Sequence, residues 1–274
     1  MELFVEWFPL LLLLVIAGAL GGGLAGMLGV GGGIVYVPAF DVVFSLVGID
    51  PEVSMHSAVA TSLAIIVPTS ISSSLAHHKR DCVDLHIVRL WGPTILLGSI
   101  IGVIAASQLK GSILSLGFGI MTLLVAINML LPNRQINFFR RYRIPPLGVA
   151  VPFGLGGFSS MLGVGGGTLS VPILTMMDRP IHRAVGTAAA FGLLISLPGA
   201  ISFIVSGWSD SRLPISSWGY VNVIAMTIMA PVTVLAAPKG AGIAHRLGQR
   251  QLRFVFGFCL FVISIRMILK TFLS

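Results

Sequence analysis

Seven residues written twice hold the most chemistry in this chain. Met27-Leu28-Gly29-Val30-Gly31-Gly32-Gly33 recurs as Met161-Leu162-Gly163-Val164-Gly165-Gly166-Gly167, and each copy runs on to a Val-Pro, at Val37-Pro38 and Val171-Pro172. Glycine is a poor helix former and accepts positive φ, so each phrase should break a helix inside its apolar stretch. A helix restarting at Gly33 or Gly167 points free N–H groups and the positive end of its dipole into the break. That arrangement binds anions without any side chain, and small glycines let a ligand reach the backbone. The candidate binding residues are therefore Gly29, Gly31, Gly32 and Gly33 from the first phrase, and Gly163, Gly165, Gly166, Gly167 and Thr168 from the second. The competing role for the glycines is close packing of helices. A phosphate loop is excluded, because no Lys-Ser/Thr follows the glycines and no strand precedes them.

Side chains at matching places in the two halves extend the set. His56-x-Ala58-Val59-x-Thr61 answers His182-x-Ala184-Val185-x-Thr187. The hydroxyls of Thr61, Ser62 and Thr187 can donate to an oxyanion, although a threonine bonding its own helix carbonyl one turn back is the ordinary alternative. Asn222, in a later apolar segment of the second half, is a further candidate. His56 and His182 are candidates for proton coupling, since imidazole titrates near neutral pH; anchoring at the membrane interface is their competing role. No metal site and no cofactor is expected. Cys82 and Cys259 are far apart, and His77-His78-Lys79-Arg80 with Asp81 and Asp84 reads as a solvated loop. No apolar span holds a Ser-Lys, Asp-Asp or His-Glu-x-x-His arrangement, which argues against an enzyme.

These residues need a membrane to be positioned in. The chain has 274 residues, of which 55% are hydrophobic and 9% charged, with a mean hydropathy of +0.99. That composition belongs to a multi-pass membrane protein, with the lipid bilayer as its surroundings. The net charge of +8 does not indicate a nucleic-acid partner, because the basic residues lie in short loops between apolar spans. Acidic Glu2 and Glu6 stand where a signal peptide needs positive charge, so no cleaved leader is expected.

The repeat runs through the whole chain. Pro93 matches Pro231, Gly102 matches Gly240, Gly119 matches Gly257 and Met129 matches Met267. Residues 1–132 form the first repeat, 133–145 a basic cytoplasmic connection and 146–274 the second repeat. In each, the first apolar stretch (8–47 and 146–177) is too long for one crossing and is cut by its glycine phrase; three single crossings follow. If each broken stretch enters and leaves on one side, the cytoplasm holds Lys79, Arg80, Arg89, Arg134, Arg140, Arg141, Arg143, Arg179, Arg183, Lys239, Arg246, Arg250 and Arg253. Lys110, Arg212 and Lys270 then lie outside, and Arg266 lies inside the last span, where snorkelling outward is favoured. A single crossing splits the basic residues nearly evenly, so the positive-inside rule favours the hairpin. Three net crossings per half make the repeats inverted. The predicted fold is an all-α integral membrane protein of two inverted-topology repeats, each a Gly-broken helical hairpin or re-entrant segment plus three transmembrane helices, in the cell (inner) membrane.

The paired phrases, the His-x-Ala-Val-x-Thr elements and the stretches Gly219-Tyr220-Val221-Asn222 and Ala237-Pro238-Lys239-Gly240-Ala241 resemble the TauE/SafE sulfite exporter family over nearly the whole chain. The resemblance implies a secondary transporter, an exporter of small anions such as sulfite, sulfonates and sulfur-containing or carboxylic organic acids. One departure is that Thr61-Ser62 becomes Thr187-Ala188, so the two half-sites differ chemically. The expected function is alternating access around a site formed by the two breaks, with a proton or another ion as coupling partner. The alternative is an anion-selective channel, since broken helices also build filters. The scarcity of intramembrane acids argues against a cation carrier.

Overall fold

The computed structural model of the chain describes residues 2–29, 31–130, 147–177, 179–243 and 249–273. Val30 of the first glycine phrase, the connection 133–145 with Arg134, Arg140, Arg141 and Arg143, and Arg246 lie outside the described residues. So do the side chains of Arg250, Arg253, Cys259 and Lys270.

The helices of the first half are α1 (Glu2–Leu28), α2 (Gly33–Leu46), α3 (Pro51–His78), α4 (Leu85–Ser107) and α5 (Gly111–Leu130). Those of the second are α6 (Leu147–Met161), α7 (Gly167–Met176), α8 (Ile181–Ser206), α9 (Val223–Ile243) and α10 (Gln249–Leu273). A two-stranded antiparallel ribbon, β1 (Ser217–Trp218) with β2 (Val221–Asn222), joins α8 to α9. Both glycine phrases fall between helices, α1 and α2 in one case and α6 and α7 in the other.

Among the described residues five helical stretches are long and apolar enough to cross a membrane: Phe8–Met27, Pro51–His78, Leu85–Ser107, Ile181–Ser206 and Val223–Ile243. Gly33–Leu46 and Gly167–Met176 are shorter apolar helices, and Gly111–Ile127 and Leu260–Leu269 are apolar parts of α5 and α10. At 1.5 Å per residue, the 14 residues of α2 and the 10 of α7 fall short of a hydrocarbon core of ~30 Å. The arm leading into the first break is therefore a full-length helix, and the arm leading out is not.

Polar caps start the long helices after the loops. The Asp50 carboxylate accepts the Glu52 N–H (2.8 Å) with Pro51 at the first helical position, and the Asp84 carboxylate accepts the Ile87 N–H (3.3 Å). The Asn222 amide oxygen accepts the Ala225 N–H (3.0 Å) at the start of α9.

Helices α3 and α8 cross at the centre. Gly199 lies against Leu63 and Gly192 against Ser70, so the two run antiparallel. Around them α1 lies along α9 and α6 along α4, while α5 packs on α10. Each of these pairings maps onto another, or onto itself, when the halves are exchanged. Small residues bring the backbones together, as is usual where lipid gives no hydrophobic drive between helices. Gly18 meets Val232, Gly22 meets Thr233 and Gly26 meets Ala237; on the other side Gly98 meets Phe153 and Gly102 meets Gly157. The buried core centres on Ala58, Val59, Ala60, Leu63, Ile65 and Ile66 of α3, whereas Leu90, Leu97, Leu124, Val205 and Leu235 face outward.

Candidate functional site

The two glycine breaks meet. A Cβ on Gly31 would sit 2.7 Å from the Gly165 Cα, and one on Gly33 would collide with the Gly163 carbonyl. Each break also wedges into the long central helix of the other half. Gly29 presses on the Val185 carbonyl of α8, and Gly163 lies against Val59 of α3, whose Cα is 2.9 Å from the Cβ position. No side chain fits at these points, so the phrases do the packing expected of small residues as well as breaking the helices.

Their backbones differ. Gly29, Gly31 and Gly32 have φ of 66°, 76° and 80°, all left-handed. In the second break Gly163 is left-handed at 65°, but Gly166 is right-handed at −51°. Positive φ is thus a requirement at Gly32 and not at its counterpart. Gly166 is needed for space: a Cβ there would lie 2.8 Å from the Gly192 nitrogen and 2.9 Å from the Ala188 carbonyl oxygen.

The second break leaves a run of donors. The N–H groups of Leu162, Gly163 and Val164 bond back to carbonyls of Phe158, Ser160 and Ser159, and the next backbone bond is from Ser170 to Gly166. Between them, no backbone acceptor is matched to the N–H groups of residues 165–169 among the described residues. Two of the carbonyls beside them are taken: Ser62 donates to Gly163 O (2.8 Å), and the Ser170 hydroxyl donates to Gly166 O. The Thr168 hydroxyl is buried without a partner among the described residues. Free donors with occupied acceptors favour a negative ligand.

The two threonines sit in equivalent bonds. Thr61 Oγ1 accepts the Asn222 backbone N–H (3.0 Å), and Thr187 Oγ1 accepts the Asp84 backbone N–H (2.9 Å). Asn222 caps α9 and Asp84 caps α4, so each threonine of one half anchors the start of the other half's fourth helix. Asp84 also pairs with Arg179 at 3.2 Å. His77 is buried with Nε2 2.9 Å from the Gly26 carbonyl oxygen. The solvated loop expected around His77 and Asp84 is thus a packed junction in part.

The histidines part company. His56 is buried, with Nδ1 3.2 Å from Glu52 O and Nε2 3.2 and 3.0 Å from Ala106 O and Leu109 O. Its ring stacks on Tyr220 at 5.3 Å. His182 is exposed. His56 and Tyr220 line a cavity of about 410 Å³ together with Glu52, Lys110, Ser115 and Arg212. Arg212 bonds Asp210 (2.7 Å) and Glu52 (2.7 Å). The Arg212 hydrogen bond holds the Asp210 carboxyl down to about 2, and the same contact raises the guanidinium. Burial, reinforced by the charge of Asp210, pushes the Tyr220 phenol up.

The acidic stretch from Asp41 to Glu52 reads from the sequence as an outer loop, but Asp41 is a buried acid on α2 whose carboxylate lies 3.9 Å from Arg266. A lone acid inside an apolar run was its signal. Arg266 itself is about half exposed, in keeping with a stem reaching outward.

Comparison with known proteins identifies the family. Residues 14–267 match the family described as sulfite exporter TauE/SafE. A "Probable membrane transporter protein" of Haemophilus influenzae is 33% identical over 263 residues, covering 96% of this chain and all of that protein. "Probable membrane transporter protein MJ0441" of Methanocaldococcus jannaschii is 29% identical, covering 98% of this chain and 99% of that one. "Probable membrane transporter protein YunE" of Bacillus subtilis is 26% identical, covering 96% and 98%. No solved structure matches the chain. A doubled glycine break at the heart of a helical membrane protein, matched nearly end to end, places this chain in the sulfite exporter TauE/SafE family of membrane transporters.

Proposed function

We propose that the chain is a secondary exporter of small oxyanions, taking sulfite, sulfonates or sulfur-containing and carboxylic organic acids across the cell membrane. The observation that carries the reading is the meeting of the two breaks, with the unmatched N–H groups of residues 165–169 beside occupied carbonyls. Gly163, Gly165, Gly166, Gly167 and Thr168 carry the donors of the site, and Gly29, Gly31, Gly32 and Gly33 pack against them as its other wall. Thr61, Ser62, Thr187 and Asn222 hold the surrounding helices in place. Each charge-assisted hydrogen bond contributes about 1.5–3 kcal/mol, so a few suffice for micromolar binding after association costs.

Two inverted repeats supply the motion. The antiparallel α3 and α8 and the exchangeable pairing of α1·α9 with α6·α4 support inversion, with 1–132 and 146–274 as the units. Alternating access then consists of one half rocking against the other about the breaks. The basic ends near Lys79 and Arg179 face the cytoplasm. His56, on the wall of the outer cavity, is the candidate for proton coupling, and exposed His182 contributes less.

The test uses purified full-length protein. Sulfite, methanesulfonate and acetate should raise its melting temperature, because ligands that bind the native state stabilise it by mass action. In liposomes, external anion should accelerate release of labelled internal anion. Stabilisation by Na⁺ or amines instead of anions would overturn the reading, and flux without such trans-stimulation would make the protein a channel.

A further inference from the structure

The register that pairs Thr61 with Thr187 also pairs Ser70 of α3 with Ser196 of α8. Both serines are buried, at 2% and 0% exposure, and neither hydroxyl has a hydrogen-bond partner among the described residues. A buried hydroxyl left unpaired is destabilising, and each such group in a native protein calls for an explanation. The two stand in different surroundings. Ser70 Oγ lies directly over Gly192, and the Gly166 nitrogen lies 3.8 Å from the point where a Gly192 Cβ would be. Ser70 and the start of α7 therefore approach the same bare point of α8, where a glycine leaves no side chain between them.

In the first half the position equivalent to Gly192 is Ile66. Its side chain covers the first break: Cγ2 is 3.3 Å from a Gly31 Cβ position and Cδ1 is 3.0 Å from that of Gly33. The register set by Leu63 with Gly199 and Ser70 with Gly192 puts Ser196 level with Ile66, where an isoleucine stands in place of a gap.

We propose that the anion seat is one-sided: Ser70 and the α7 N-terminus, with Thr168, hold the ligand across Gly192, while Ile66 closes the first break. This rests on the reading that the breaks are the binding centre. The α7 N–H groups take one oxygen and the Ser70 hydroxyl takes another. The ligand is accordingly a compact oxyanion with at least two acceptor oxygens on one centre, such as a sulfite, sulfonate or carboxylate.

A matched pair of variants tests this, with sulfite and methanesulfonate as probes titrated calorimetrically into the full-length protein. Ser70→Ala removes a hydrogen bond to a charged ligand and should weaken binding about tenfold to a hundredfold. Ser196→Ala deletes an equally buried hydroxyl and should leave affinity at the parent's value. Gly192→Ala, which fills the gap, should weaken binding at least as much as Ser70→Ala. Equal effects of the two serine variants, or parental affinity in Ser70→Ala, would overturn the one-sided seat while leaving anion transport standing. A parent that binds neither probe removes the transport reading and the seat with it.

Discussion

The two glycine breaks share seven residues in a row and do not share a structure. The first holds three left-handed glycines and is covered by Ile66; the second holds one at Gly163, restarts its helix at a right-handed Gly166, and opens on Gly192. What stays equivalent is the scaffold around them: Thr61 with Asn222, Thr187 with Asp84, and the paired outer helices. Identical residues thus set where a helix stops, and the residues packed against them set what the stop becomes. The two halves keep the break itself and differ in the wall packed against it.

The largest losses fall at the positions where the halves agree. Gly29 and Gly163 have nearly the same φ, and each presses on the backbone of the opposite central helix. Alanine at either costs about 1–2 kcal/mol for the left-handed backbone and a further ~1–3 kcal/mol for overpacking. Both variants should lose most of their folded yield in size-exclusion profiles. If either melts with the parent, the breaks are not wedged as described.

A smaller, unequal effect is expected at Gly32 and Gly166. Both are crowded, but only Gly32 is left-handed, so Gly32→Ala should be less stable than Gly166→Ala by about 1–2 kcal/mol. Equal melting temperatures would mean that the two breaks have the same backbone.

The position of both breaks could be read from residue types alone, whereas the caps at Asp50 and Asp84 are not drawn from the sequence, where Asp84 reads as part of a solvated loop. The glycine conformations could not, because glycine accepts either hand and its neighbours from other helices decide. Nor could the partners of Thr61 and Thr187: a hydroxyl near a break looks the same whether it faces a ligand or a backbone N–H from a helix far along the chain. Ser70 and Ser196 were within reach, since they share the register of the threonines, but only packing reveals that one faces Gly192 and the other stands level with Ile66. His56 and His182 match in sequence and differ in burial for the same reason.

Those threonine bonds supply the next test. Valine keeps the shape of threonine and removes the acceptor, stranding the Asn222 or the Asp84 N–H. Thr61→Val and Thr187→Val should each lower stability by about 1–3 kcal/mol, and by similar amounts. Ser62 cannot compensate in the first half, because its hydroxyl is committed to Gly163 O. A loss confined to one variant in denaturant titrations would show that the two anchors are unequal after all.

The smallest expected effect separates the two loops that carry these anchors. On the α4 side Asp84 is paired with Arg179; on the α9 side the longer loop places Asp210 against Arg212, which also reaches Glu52. The Asp210 carboxyl sits at about 2 because Arg212 hydrogen-bonds its charged form, whereas an unfolded aspartate titrates at about 4. A carboxyl depressed in the folded state stabilises the protein above its unfolded value, and that contribution is lost as pH falls through the folded one. The melting temperature should therefore show no Asp210-dependent change from pH 5 to 8 and should decline from about pH 4 toward 2. Asp210→Asn should flatten that acid limb and lower the neutral-pH melting temperature by the same small amount, since the pair is solvent-screened around an exposed Arg212, so that parent and variant converge toward pH 2. An acid limb identical in parent and variant would locate the sensitivity elsewhere and leave the α9-side loop with no electrostatic part in holding Tyr220 against His56.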